Sequence, residues 1–140
     1  MIQWIFNNFV GGRVAIGLLV LRIVGGLGMM LHGWPKIQKP FNWMGDAFPG
    51  WLQALAALSE FGGGLAWILG LLTPLASFGI LCTMAVATHF HAVVQGDPFV
   101  ARGSGGSYEL ALLYLCIALL LLLAGPGRLS LDALLFRRKS

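Results

Sequence analysis

Apolar residues run almost unbroken through four stretches of this chain, about 14–34, 52–72, 74–94 and 108–124, while polar residues collect between them. Each stretch reaches the roughly 17–25 residues that a helix needs to cross a hydrocarbon core about 30 Å thick. A β-barrel would show shorter segments of alternating polarity, whereas residues 119–123 are an uninterrupted run of leucine. The pattern predicts an all-α fold: one integral membrane domain, a four-helix bundle. Only Leu72, Thr73 and Pro74 join the second and third stretches, so these two helices should form a tight antiparallel hairpin, with Pro74 suited to a helix start.

The connecting segments have their own character. The opening ten residues are amphipathic, with Trp4, Phe6 and Phe9 as expected interfacial anchors and Gly11 and Gly12 as a hinge into the first helix. Between the first two helices, Trp34, Phe41, Trp43, Phe48 and Trp51 alternate with Pro35, Pro40 and Pro49, which fits an aromatic belt or a lid over the bundle mouth. The second outer loop, QGDPFVARGSGGS, ends in a flexible Gly/Ser stretch before Tyr108. Its glycines follow no strand, so a phosphate cradle is disfavoured.

Composition sharpens this picture. The 140 residues are 58% hydrophobic and 10% charged, with a mean hydropathy of +0.84, which excludes an ordinary soluble domain. The first apolar stretch is longer than a signal-peptide core, carries Arg22 and lacks a small-x-small cleavage site, so it is expected to stay attached. The net charge of +4 sits at helix flanks and does not suggest nucleic-acid binding. Arg13, Arg128, Arg137, Arg138 and Lys139 fall on the side of the termini, against Lys36, Lys39 and Arg102 in the other loops, which predicts that both termini are cytoplasmic.

Candidate chemistry lies in the few polar residues within the apolar stretches. A charge at the centre of a membrane helix costs about 2.5–3.5 kcal/mol on insertion scales, so Arg22 and Glu60 should face a partner or a polar cavity. At 1.5 Å per residue from the cytoplasmic ends, Arg22 comes out about 12 Å deep, Glu60 about 18 Å, His89 and Glu109 about 22 Å and His32 about 27 Å. These depths permit an Arg22–Glu60 ion pair and set His89 level with Glu109. Arg22, Gly25, Gly26, Met29, His32, Gly33 and Lys36 share one stripe of the first helix. The expectation is a polar pocket in the outer half: His32, His89 and Glu109 as reactive groups, Arg22 and Glu60 as its floor, and Trp34, Lys36 and Tyr108 at its rim.

His89 and His91 are two residues apart, so a regular helix allows only one of them to face that pocket. His32, His89 and Glu109 offer donors for a metal, and His32 with His89 for haem, but no spacing is diagnostic of either. Cys82 and Cys116 come out at similar depth on neighbouring helices, which allows a redox pair, but packing is the simpler role for buried thiols without basic neighbours. Gly62, Ala66 and Gly70 recur every four residues as an expected close helix contact.

The segments LRIVGGLGMMLHGWPKI, EFGGGLAWILGLLTP, MAVATHF, YELALLY and GPGRLSLD, in this order and spacing, resemble the DoxX family of small four-helix membrane proteins over nearly the whole chain. The resemblance implies a bacterial inner-membrane protein. The family takes its name from a subunit of an archaeal thiosulfate:quinone oxidoreductase, and other members are linked to thiol or oxidative stress and to quinone or catechol tolerance. Its pattern falls here on Arg22, Gly26, His32, Gly33, Lys36, Glu60, Gly63, Gly70, Thr73, His89, Glu109, Gly125, Gly127 and Asp132. The chain carries no Cys-x-x-Cys motif and no nucleotide fingerprint.

Three functions emerge as expectations. One is a quinone-binding membrane subunit in which His32 or His89 exchanges a proton with a quinone oxygen, Glu109 orients the histidine, and a partner oxidoreductase supplies electrons. A non-enzymatic scaffold in the lipid bilayer, with a homo-oligomer as one form of it, is the second. The third is a small proton or solute transporter.

Overall fold

The computed structural model describes residues 9–136. Trp4, Phe6, Arg137, Arg138 and Lys139 lie outside the described residues. The order of elements is α1 (Gly12–Ile37), a single 3-10 turn (Gly45–Ala47), α2 (Gly50–Leu69), α3 (Thr73–His89), a π-helical turn (Phe90–Val94), α4 (Glu109–Ala124) and α5 (Leu131–Phe136). No strand occurs among the described residues. The all-α membrane architecture expected from the apolar pattern is therefore present, with one adjustment of length. α1, α2 and α3 with its π turn are long and apolar enough to cross a membrane, whereas α4 is a shorter apolar helix of 16 residues.

Most large aliphatic side chains point outward, as expected where the solvent is lipid: Val24, Leu31, Leu75 and Leu123 are all exposed. The interior is correspondingly small and built around Trp67, Met29, Ile80, Ala118 and Leu121. The indole N–H of Trp67 donates to Ser77 Oγ at 3.0 Å, tying α2 to α3 without leaving a buried donor unpaired.

Each helix packs mainly on its neighbour in sequence, α1 on α2, α2 on α3 and α3 on α4. Glycine sets the first of these contacts. A methyl group added at Gly26 would strike the Gly64 carbonyl, and one at Gly33 would strike the Phe61 backbone. Gly25 faces Trp67 and Gly70 faces the Arg22 guanidinium, so each step up α1 is a step back along α2. Of the predicted stripe of Gly62, Ala66 and Gly70, only Gly70 is placed against α1, through the Arg22 side chain. Gly62 meets only Leu58 of its own helix, and Gly70 ends α2 in the left-handed conformation at φ 64°.

Below the α2–α3 hairpin the chain returns. Residues 125–136 pack along the first turns of α1, with Gly127 against Ala15 and Leu18 and the Arg128 N–H donating to Val10 O at 2.9 Å. The Asp132 carboxylate accepts the N–H of Leu72 at 2.7 Å and of Thr73 at 2.9 Å, capping α3 from a distant part of the sequence. The Asp132 N–H in turn donates to Gly70 O at 2.8 Å, and Ser130 Oγ accepts the Ala133 N–H to start α5.

Candidate functional site

Arg22 and Glu60 do not pair. α1 and α2 are antiparallel in a register that sets Arg22 opposite Gly70, ten residues along α2 from Glu60 and therefore about 15 Å away along the axis. Arg22 is fully buried, donates to Leu129 O at 2.5 Å and lies within electrostatic reach of Asp132. It belongs to the closure of the bundle end against which residues 125–136 pack. Glu60, 2% exposed, binds the Lys36 ammonium at 2.7 Å instead. Lys36 reaches it from the last turn of α1 and also sits 4.4 Å above the Trp43 ring.

Two adjoining cavities meet at this ion pair. The smaller, about 170 Å³, is bordered by His32, Ser107 and Tyr114. The larger, about 670 Å³, runs between α2 and α3 under the α1–α2 loop, walled by Leu52, Ala56, Phe78, Cys82, Val86 and Phe48. Lys36, Glu60, Ala87 and His91 border both. The larger cavity is thus an apolar groove whose one end carries an ammonium, a carboxylate and an imidazole.

The histidine at this junction is His91, not His89. His89, the last residue of α3, is exposed and borders neither cavity. The π turn begins just after it, with the Gln95 N–H donating to Phe90 O at 2.9 Å, and places His91 toward the interior. His91 Nδ1 lies 2.7 Å from Asp97 Oδ2, and the Asp97 N–H donates to His91 O at 2.9 Å, so the ring is clamped by side chain and backbone together. Phe90 adds an edge contact to His91 and another to Phe48 of the loop.

The remaining expected residues separate. His32 borders the smaller cavity and meets Tyr114 edge to face at 6.1 Å between ring centroids. Glu109, at the start of α4, borders neither cavity, and its N–H donates to Phe99 O. Tyr108 packs on Phe99, and Trp34 on Phe61, away from both. Cys82 and Cys116 are free and exposed, and only Cys82 touches the groove. Among the described residues no three His, Cys, Asp or Glu side chains group as a metal site.

Gln53, Asp97 and Tyr114 escaped sequence reasoning, while His91 figures there only as the alternative to His89. Gln53, 2% exposed, holds the α1–α2 loop over the groove: its amide N–H2 donates to Gly45 O and Phe48 O, both at 2.7 Å, and its Oε1 accepts the Met44 N–H at 2.8 Å. Trp43 closes the same knot by donating to Gln53 O at 2.9 Å. The available signal was the position of an amide in the first turn of α2, next to a loop whose prolines and glycines leave carbonyls unsatisfied. The aromatic segment is therefore a fixed cover. Asp97 was visible only as part of a GDP turn.

Comparison with known proteins agrees with this framework. The DoxX family model matches residues 17–93, from the second turn of α1 through the π turn. An uncharacterized protein of Haemophilus influenzae is 34% identical over 125 residues, spanning 86% of this chain and 92% of its own. Inner membrane protein YqjF of Escherichia coli is 34% identical over 136 residues, spanning 88% and 95%. No solved structure matches.

Proposed function

Because this chain belongs to the DoxX family of membrane proteins, we propose that it works in the inner membrane as the quinone-binding subunit of an oxidoreductase system. The observation that carries this reading is the groove between α2 and α3. Its volume, about 670 Å³, falls in the range of about 300–1,000 Å³ common for small-molecule sites, and its lining is mostly apolar, with its charged groups, Lys36 and Glu60, beside His91. A substituted ring with an isoprenoid tail has the same division, an apolar body and oxygen atoms at the head.

The groove residues act on such a ligand in distinct ways. Phe78, Val86 and Leu52 exclude water from the ring, and the Gln53-held loop covers it. Lys36 supplies an N–H donor for a ring oxygen. His91, held by Asp97, exchanges a proton with that oxygen, the role first expected of His32 or His89. His32 and Tyr114 line the adjoining polar cavity, through which a proton reaches the outer face. Electrons come from a partner oxidoreductase, which the loops facing the aqueous phase receive.

Protein purified in mild detergent should retain quinone in its lipid extract, and Thr83→Trp, which fills the groove, should remove it while leaving helical circular dichroism unchanged. Retention of quinone in that variant would place it elsewhere on the bundle. A protein free of quinone whose assembly fails on groove filling would instead support the scaffold role.

A further inference from the structure

The polar end of the groove holds a buried acceptor that its ammonium leaves unfilled. Glu60 Oε1 takes the Lys36 ammonium, but Glu60 Oε2 is buried and has no hydrogen-bond partner. A buried carboxylate oxygen left so is costly unless a bound molecule completes it. His91 presents a second acceptor. Its Nδ1 faces a carboxylate oxygen of Asp97, which can only accept, so Nδ1 carries a proton and, in the neutral ring, Nε2 is an acceptor. Both residues border both cavities, which places them together at the junction of the two.

The two redox states of a quinone differ in the property that these acceptors read. Quinone oxygens only accept. A quinone seated here satisfies Lys36 and leaves Glu60 Oε2 unpaired, whereas a hydroquinone oxygen accepts from Lys36 and its O–H donates to Glu60 or His91. Sites arranged around a ligand hydroxyl discriminate sharply against the analogue that lacks it. Resting on the quinone reading above, we infer that the groove selects the reduced, dihydroxy form of the ring, with Glu60 and His91 as its acceptors. The consequence is directional: a site that favours the reduced ring makes the bound quinone a better oxidant toward the partner, by about 30 mV for each tenfold preference in a two-electron couple.

The test uses the full-length protein in lipid nanodiscs without oxygen, with decylubiquinol and decylubiquinone titrated separately and bound ligand measured at equilibrium. The wild-type chain should bind the quinol about tenfold or more tightly than the quinone. Glu60→Gln, which puts a donor at the unpartnered position, should bring the ratio toward one, and His91→Phe, which keeps a ring but removes the acceptor, should lower it independently. Equal affinity for the two forms, or tighter quinone binding, overturns the selectivity while leaving the groove as the site, provided that Thr83→Trp abolishes both. A ratio that survives both acceptor variants also overturns it. Binding of neither form overturns the selectivity and the quinone reading together.

Discussion

At the scale of single residues, the polar groups divide into an outer and an inner set. Lys36 and Glu60 form the outer pair, and removing one member leaves the other without its counter-charge. Lys36→Met should destabilise the protein by about 1–3 kcal/mol, less than a fully buried pair because Lys36 remains a quarter exposed. Combining it with Glu60→Gln should recover part of the loss in thermal unfolding in detergent, since the double variant buries no lone charge. The inner set centres on Asp132, whose carboxylate accepts two backbone N–H groups. Asp132→Ala should cost about 1–3 kcal/mol and Asp132→Asn less, because the amide keeps one acceptor. His91 and His89 give a sharper contrast: His91→Ala should weaken ligand binding at least about tenfold, the loss of one good hydrogen bond, and His89→Ala should leave it unchanged.

At the scale of elements, the existence of the helices was legible because an apolar run of membrane length has few other solutions. Their register was not. Depth counted from estimated helix ends put Arg22 within about 6 Å of Glu60, but the register is set by where backbones approach, at Gly26 with Gly64 and Gly33 with Phe61. Gly64→Leu should separate α1 from α2 and reduce the yield of folded protein, measured by monodisperse elution in detergent, whereas Gly62→Leu, on a face that meets no other helix, should be tolerated. The choice between His89 and His91 was likewise out of reach of regular helix geometry. A π turn rotates the residues beyond it relative to the helix before it, and nothing in FHAVV announces one. Residue types for the site could be read from the chain, but the facing of Glu60 and His91 depends on register and local winding.

At the scale of the whole molecule, the two ends differ in charge and in closure. Arg13 and Arg128 are exposed at the end that also carries the termini, while Lys36 at the opposite end is engaged by Glu60 and Trp43. Reporter fusions should place both termini in the cytoplasm, and moving basic residues from that end into the second outer loop should invert a fraction of the chains. The sequence pattern specified the number and order of the apolar helices correctly, although α4 is only 16 residues long. It did not reveal that residues 125–136 return beneath the hairpin, because the cue is an aspartate whose partners are about sixty positions earlier.

That separation also orders events in biosynthesis. The α2–α3 hairpin leaves the ribosome with the amides of Leu72 and Thr73 unsatisfied, and Asp132 emerges 60 and 59 residues later. At about 5–20 residues per second the delay is roughly 3–12 s. Throughout that interval α3 and α4 are themselves still being made, so the cap of α3 is among the last contacts of the bundle to form, and a chain interrupted before residue 132 lacks it.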